Sequence, residues 1–354
     1  MTAGLTETGW ARLRRRIRTV PVHLALFGAV TVLAPLWAVV GIVIDLHRTL
    51  VRKRPAMALR MFAFGWVYLA VGAFCLVTLL GHWIAAGFGD SQAFMRERSY
   101  HLQEFWAKSL FGSFRRIFRV DVSVEGLDTV APGPILVLMR HASIVDTLLP
   151  NVLVTQAAGI RLRYVLKKEL LSDPTMDIAG NRLINHFVDR SGDAGTEVRA
   201  VLALADGMTA GDGVIIYPEG TRFTTARRQR ILDGLGDRDS DLAVRTARLR
   251  HVLPPRPGGT SALLGTGHDV VVVAHHGLES LATIPDAWSG EIVGAQLRIR
   301  FTRFPASTIP VDRRGKVSWL FDRWDEIDAW LDEASSAAAG NGPARSKPVS
   351  RAKA

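Results

Sequence analysis

The hydrophobic positions divide the chain into an apolar N-terminal part and a part in which short apolar runs alternate with polar segments. Val20–Ile44 and Met61–Gly89 hold no formally charged residue over 25 and 29 positions. A transmembrane helix needs about 20 apolar residues, so both segments are long enough to cross a bilayer. A pair of buried core helices is the alternative, although soluble helices of this length rarely lack charge on every face. Pro35 and Gly41 interrupt the first segment, which predicts a kink or a segment that dips into the membrane and returns.

A third N-terminal element is amphipathic. Between positions 102 and 118, basic residues lie among apolar residues that recur at helical spacing, namely Leu102, Phe105, Trp106, Leu110, Phe114, Ile117 and Phe118. This pattern predicts a helix on the membrane surface. The alternative is a helix that packs on the following domain.

From Val120 onward the pattern is typical of an α/β domain. Alternating or continuous apolar runs predict strands, at 120–124, 134–139, 163–166, 186–188, 213–217, 269–274 and 297–304. Helical patterns lie at 146–158 and 196–208, and a stripe of apolar residues at 317–331 predicts a C-terminal helix. Strands that alternate with helices predict an α/β fold, with a mixed central sheet flanked by helices.

These patterns predict three regions. Residues 1–118 form a membrane-anchoring region with two hydrophobic segments (about 20–44 and 61–89) and the amphipathic helix, and residues 119–333 form the α/β domain. After Glu333 the chain is rich in Ala, Ser, Gly and Pro, which predicts a disordered basic tail over 334–354.

Composition and charge narrow the class of protein. Of 354 residues 48% are hydrophobic and 22% charged, which excludes general disorder. The net charge of +11 lies at the ends, with ten basic and two acidic residues in 1–60 and four basic and no acidic residues in 334–354. Basic residues beside apolar segments are typical of a membrane surface, and no nucleic-acid-binding motif is visible. The single cysteine, Cys75, excludes an intramolecular disulfide and a cysteine-based zinc cluster.

The first group that can carry chemistry is the pair His141 and Asp146, directly after the apolar run 134–139. On one helix the two side chains would point about 140° apart, so they meet only if His141 lies in the loop and Asp146 in the first helical turn. Ser143 can cap that turn, with Asp146 three residues later. A neutral imidazole can accept a proton, and a carboxylate on its other nitrogen fixes the tautomer. The alternative is that Asp146 is only the acidic half of a capping box.

The second group is the turn Tyr217–Arg222, which follows another predicted strand. It presents an acid, a hydroxyl and a guanidinium at the sheet edge where α/β proteins bind ligands. An arginine can bind a phosphate with two parallel hydrogen bonds. The alternative is a strand-ending turn with a local Glu–Arg pair. Phe187–Arg190 and Leu253–Arg256 are weaker signals, each compatible with a solvated charge or a plain loop.

In this order the segments resemble the motif blocks of the glycerolipid acyltransferases, the 1-acyl-sn-glycerol-3-phosphate acyltransferase family. His141–Asp146 matches the H-x4-D block, Phe187–Arg190 the second block and Pro218–Arg222, PEGTR, the third. The region around Pro254 looks like the fourth block, and Lys167–Leu170 resembles a KKEL segment often found between the first two.

The resemblance covers about residues 120–330 and has two departures. Arg140 stands where the family commonly has asparagine, and 224–250, rich in Arg and Asp, is an insertion. The first departure concerns the fine positioning of His141, and the second has no function that the sequence reveals.

The resemblance implies a membrane-bound acyltransferase that moves a fatty acyl group from acyl-CoA or acyl carrier protein onto a lysophospholipid hydroxyl. The leading acceptor is 1-acyl-sn-glycerol-3-phosphate, which gives phosphatidic acid. The resemblance also implies direct transfer, without an acyl-enzyme and without a metal or redox cofactor. It assigns His141 as the base and Asp146 as its orienting partner. The acceptor's phosphate end is assigned to the substrate-binding residues Glu219, Gly220, Thr221 and Arg222, with Arg190 and Lys167 as weaker candidates. Within this group Arg222 is expected to make the charge contact and Glu219 to order the loop.

We therefore expect an integral membrane protein of the cell (inner) membrane, with the catalytic domain on the cytoplasmic face. Its expected partners are membrane lipids, the lysophospholipid acceptor and the acyl-CoA or acyl carrier protein donor, with no nucleic acid. Two alternatives stay open. One is a transferase, transacylase or hydrolase that uses the same base on another lysophospholipid or a lyso-aminolipid. The other is a non-catalytic membrane scaffold with a degenerate domain.

Overall fold

The computed structural model describes residues 7–189, 192–235 and 241–340. Its N-terminal part consists of helices α1 (Gly9–Val32), α2 (Ala34–Leu50), α3 (Ala58–Ala85) and α4 (Gln92–Phe118). Within the described residues, α3 alone is long and apolar enough to cross a membrane, whereas α1 and α2 pass that test only together and are bent by 66°. The interruption predicted at Pro35 is thus present, and the bend fits both alternatives, a kinked span and a segment that returns to the same side. Pro35 lies in the first turn of α2, where its missing N–H leaves no hydrogen bond unmade.

The N-terminal helices are tied to the rest of the chain by a buried ion cluster. Arg15 and Arg16 of α1 both donate to the fully buried carboxylate of Asp177, at distances of 2.9–3.2 Å. Asp177 belongs to helix α5 (Pro174–Gly180). A buried carboxylate requires such partners, so this cluster holds α1 against α5.

A seven-stranded mixed sheet forms the centre of the α/β part, as predicted. Its strands are β1 (Asp121–Glu125), β2 (Ile135–Met139), β3 (Arg161–Lys167), β4 (His186–Val188), β5 (Asp212–Ile216), β6 (Asp269–His276) and β7 (Gln296–Phe304). Their order is β1-β7-β6-β2-β5-β3-β4, and all neighbours are parallel except β6 and β7. The central strand β2 therefore lies between β5 and β6 and ends at the same edge as both.

Helices cover both faces of the sheet. Besides α5 they are α6 (Ala194–Leu202), α7 (Thr225–Asp233), α8 (Asp241–Arg248), α9 (Pro257–Leu264), α10 (Ile284–Ala287) and α11 (Arg313–Gly340). Short 3-10 helices lie at Leu127–Thr129, Val145–Leu148, Lys168–Ser172, Ala203–Ala205, Glu279–Leu281 and Ala306–Thr308.

The helix predicted at 146–158 has a different form from the one expected. A 3-10 helix, Val145–Leu148, is followed by a π-helix, Pro150–Ala157. Proline has no N–H, so Pro150 cannot make the bond to the Asp146 carbonyl that a continuous α-helix would require. Asp146 consequently lies in a short, tight turn at the start of the segment.

The predicted amphipathic helix packs on the following domain, which was the second of the two alternatives. Phe111, Phe114 and Phe118 of α4 are buried in one core with residues of the sheet, such as Val137 and Ile299. The opposite face of the sheet carries a second core that includes residues of α6, α9 and α11. Because α4 shares a core with the strands, the packing does not divide at residue 118, where the sequence analysis placed a boundary.

The predicted start of the tail at 334 is also wrong, because α11 continues to Gly340. Residues 337–339 are alanines, and alanine has the highest helix propensity of all residues, so a packed helix is readily extended through them. Residues 341–354 lie outside the described part of the chain.

Candidate active site

His141 and Asp146 meet at the end of β2, in the arrangement that the sequence required. His141 lies in the loop after the strand, and its Nδ1 lies 3.0 Å from Oδ1 and 3.2 Å from Oδ2 of Asp146. The Asp146 side chain is fully buried, and its Oδ2 also accepts hydrogen bonds from the backbone N–H groups of Ala142 and Ser143, both at 2.7 Å. The loop between the two residues therefore wraps around the carboxylate and holds it beside the imidazole.

The charge state of Asp146 follows from its surroundings. Burial alone would raise the pKa of Asp146, but the charge on His141 and hydrogen bonds from His141 and His275 lower that pKa well below its usual range. Asp146 is thus a carboxylate at neutral pH. It fixes the His141 tautomer with hydrogen on Nδ1, which leaves Nε2 to accept a proton.

A cavity of about 560 Å³ lies against this pair. Its walls are mainly apolar and come from both sides of the domain boundary that the sequence suggested, for example from Trp106 of α4 and Ala179 of α5. Four of the predicted site residues line it, namely His141, Lys167, Gly220 and Arg222. The histidine and the PEGTR arginine therefore share one cavity, and Arg190 lies outside the described residues.

Glu219 does not line this cavity, contrary to its prediction as a substrate-binding residue, but it has the contacts expected of a residue that orders the loop. Glu219 is 1% exposed, and its two carboxylate oxygens accept hydrogen bonds from the backbone N–H groups of His141 at 2.9 Å and Leu253 at 3.0 Å. Burial raises the pKa of Glu219, while these two donors, one on each oxygen, and the nearby Arg140 oppose the rise and favour the carboxylate form. The side chain joins three loops of the site, because a buried carboxyl group must take the donors that the fold provides.

Thr221 is likewise absent from the cavity wall, whereas Gly220 belongs to it. Gly220 has φ +66°, and a Cβ there would lie 3.2 Å from Cδ of Arg256. Glycine thus serves both the left-handed turn and the close approach of that arginine.

Arg256 is a cavity residue to which the sequence analysis gave no role. It precedes α9, its backbone N–H donates to the Pro218 carbonyl at 2.8 Å, and its side chain lies over Gly220. The resemblance of this region to the fourth block was the available signal, since the block carries an arginine. Arg222, Arg256 and Lys167 give the cavity three basic residues, against the acidic residues Glu169 and Glu197.

Comparison with known proteins finds a family model and a solved structure that are similar to this chain. Residues 121–276 match the family model described as Acyltransferase. Within this segment the chain is similar to that family. This confirms the resemblance on which the site residues were chosen, and the matched segment includes both the H-x4-D pair and the PEGTR turn.

A solved structure has a similar fold over most of this chain. It is the crystal structure of the 1-acyl-sn-glycerophosphate (LPA) acyltransferase, PlsC, from Thermotoga maritima, with a TM-score of 0.53 and 16% sequence identity. The match covers 78% of this chain and 95% of that chain. No curated protein matches this sequence.

Arg140, the departure from the family pattern, does not line the cavity. Its guanidinium donates to the carbonyls of His275 at 2.5 Å and His251 at 2.9 Å, and to the Glu279 carboxylate at 2.6 Å. Burial alone would raise the pKa of Glu279, but hydrogen bonds and charges from His276 and Arg140 lower it well below its usual range. Arg140 is thus part of the scaffold behind His141.

The segment 224–250, which the resemblance marks as an insertion, begins beside His141. The backbone N–H of Phe223 donates to the His141 carbonyl at 2.8 Å, and the chain then forms α7 and α8. Arg245 connects α8 to α11 through Asp322 at 2.8 Å and Asp325 at 2.5 Å.

Within 7–189, 192–235 and 241–340, no group of three or more His, Cys, Asp and Glu side chains is placed to hold a metal ion.

Proposed function

We propose that this protein transfers a fatty acyl group from acyl-CoA or acyl carrier protein to the hydroxyl of a lysophospholipid. The observation that carries the proposal is the buried His141–Asp146 pair on the wall of a mainly apolar cavity that also holds Arg222 and Arg256. A base, an apolar space and fixed cations are what an acyl transfer onto an anionic lipid requires.

Because Nδ1 of His141 faces Asp146, Nε2 is the nitrogen that acts as the base in the proposed reaction. Nε2 of His141 accepts the proton of the acceptor hydroxyl as its oxygen attacks the thioester carbonyl. The new C–O bond forms, the C–S bond breaks, and the departing thiolate takes the proton back from Nε2. Asp146 stabilises the imidazolium between the two steps, and such general-base catalysis contributes about 10²–10⁴-fold to the rate.

The charge of the cavity favours an acceptor with a phosphate monoester. Arg222, Arg256 and Lys167 outnumber the two acidic residues of the cavity wall, so the site suits a headgroup with more than one negative charge. We therefore propose 1-acyl-sn-glycerol-3-phosphate as the acceptor and phosphatidic acid as the product. The apolar walls would take the acyl chains.

The helical N-terminal region supports a place at the membrane. Helix α3 is long and apolar enough to cross a bilayer, and the bent pair α1 and α2 exposes large apolar side chains, among them Trp10, Ile17, Val22, Val32, Leu36 and Val39. We propose an integral protein of the cell membrane, with the cavity towards the cytoplasm. A lysolipid in that membrane would meet the site already concentrated and oriented.

One experiment tests the reaction and its acceptor. Purified wild type and His141→Ala receive one acyl-CoA and a panel of lysolipids, and mass spectrometry identifies the products. We expect diacyl product from 1-acyl-sn-glycerol-3-phosphate in wild type only. His101→Ala is the control, because His101 is an exposed residue of α4. Equal activity of His141→Ala and wild type would refute the mechanism. Free fatty acid formed without an acceptor would instead favour the hydrolase.

A further inference from the structure

A second histidine lies against the catalytic carboxylate. His275, near the end of β6, has a fully buried side chain, and its Nε2 lies 3.4 Å from Oδ2 of Asp146 and 3.2 Å from the Arg140 carbonyl oxygen. Both neighbours are acceptors, so Nε2 carries hydrogen and shares it between them. Nδ1 of His275 is buried without a hydrogen-bond partner among the described residues.

The sheet fixes the position of His275. Strands β2 and β6 are parallel neighbours, with Met139 opposite Val273. Beyond that pair, the backbone N–H of Arg140 donates to the Val273 carbonyl at 3.1 Å, and the Arg140 guanidinium donates to the His275 carbonyl at 2.5 Å. The imidazole of His275 therefore reaches Asp146 from a rigid strand end and not from a loop.

We propose that His275 is a positioning residue, which holds Oδ2 of Asp146 so that Oδ1 faces Nδ1 of His141. Oδ2 accepts from the N–H groups of Ala142 and Ser143, and Nε2 of His275 lies 3.4 Å from the same oxygen. A carboxylate surrounded in this way cannot rotate without leaving donors unpaired. His275 does not line the cavity, so it acts through Asp146 and touches no substrate. The proposal rests on the function proposed above.

Loss of this donor has a definite effect on His141. With one donor fewer, the charge of Asp146 is less dispersed and stabilises the imidazolium more strongly. His141 would then keep its proton to higher pH. The other titratable groups packed around the pair are Tyr217 and Glu219 after β5, Arg140 with its partner Glu279, and the basic residues of the cavity, and the substitution leaves them in place.

The test compares His275→Leu with His275→Gln, since a glutamine amide can occupy the place of Nε2. We expect His275→Leu to lower kcat by about 10- to 100-fold with KM changed by less than about threefold, and His275→Gln to retain most of the rate. The acid limb of kcat/KM should move to higher pH in His275→Leu. His276→Leu, on the same strand and paired with Glu279, is the matched control.

Two further measurements separate positioning from general loss of structure. In an Asp146→Asn background, His275→Leu should cause little additional loss of kcat, because the two residues act as a unit. The pH titration of the His141 imidazole, followed by NMR in histidine-labelled protein, should show the same upward shift without any substrate.

The outcomes also separate this inference from the proposed function. If wild type transfers acyl groups and His141→Ala does not, but His275→Leu keeps the wild-type rate and titration, the role of His275 is refuted alone. If neither wild type nor His141→Ala transfers acyl groups, the proposed function is refuted. In that case the NMR titration of the His141 imidazole still tests the contact between His275 and Asp146. An unchanged midpoint in His275→Leu would overturn the inference, and a raised midpoint would support it.

Discussion

Replacing Glu219 by glutamine separates the role that the structure assigns to this residue from the role that its motif suggests. The Glu219 carboxylate accepts one hydrogen bond from the His141 N–H and one from the Leu253 N–H, and the side chain is 1% exposed. Glutamine has a single acceptor oxygen. One of the two backbone N–H groups must therefore lose its partner and face the amide NH₂ group.

The magnitude follows from that lost partner. A buried donor left unsatisfied costs about 1–3 kcal/mol of folding free energy. A loss of about 2 kcal/mol lowers the unfolding midpoint by roughly 4–8 °C in a domain of this size. Glu219→Ala should cost more, because both N–H groups then lack an acceptor and a buried space is left.

The assay combines thermal unfolding with steady-state kinetics in the acyl-CoA and 1-acyl-sn-glycerol-3-phosphate reaction. We expect Glu219→Gln to unfold earlier and to have a lower kcat, because the loop that holds His141 is loosened. The KM for the acceptor should stay within about threefold of wild type. Glu291→Gln, at an exposed position, is the control.

The opposite pattern would refute this reasoning. If Glu219→Gln raised the acceptor KM by about tenfold or more while the unfolding midpoint and kcat stayed at wild-type values, Glu219 would be a substrate contact. The motif-based assignment would then stand, and the hydrogen bonds to the two loops would have little energetic weight.

The remaining predictions concern charge. Arg256→Ala should raise KM by about tenfold for an acceptor with a phosphate monoester and by much less for lysophosphatidylcholine. The measurement is the ratio of the kcat/KM values for these two acceptors, in the variant and in wild type. Equal losses for both acceptors would contradict a headgroup contact. Asp146→Asn should lower kcat by about 100-fold or more. Because folding lowers the pKa of Asp146, the wild-type unfolding free energy should also fall more steeply than that of Asp146→Asn as the pH drops from about 5 to about 3, and parallel denaturation curves would contradict this. Arg15→Ala combined with Arg16→Ala leaves the buried Asp177 carboxylate unpaired and should cost about 3–5 kcal/mol, and an unchanged thermal midpoint would contradict it.

The sequence by itself determined the local elements and the pair at the centre of the site. Apolar runs at 134–139 and 213–217 predicted β2 and β5, and the groups that follow them, His141 to Asp146 and the PEGTR turn, lie at one sheet edge because these strands are parallel neighbours. The spacing of His141 and Asp146 also required the loop-and-turn geometry that is found. These features depend on short-range patterns that a single segment contains.

The tertiary structure alone decided where the other side chains go. Glu219 turns inward to two backbone N–H groups, Arg256 reaches over Gly220, and His275 contacts Asp146 from a strand far along the chain. It also decided that Phe111, Phe114 and Phe118 of α4 pack in the core of the sheet. The physical reason is that a polar side chain near a strand end is directed by the donors and acceptors that neighbouring strands and loops bring to it, and strand order is a long-range property that no local pattern carries.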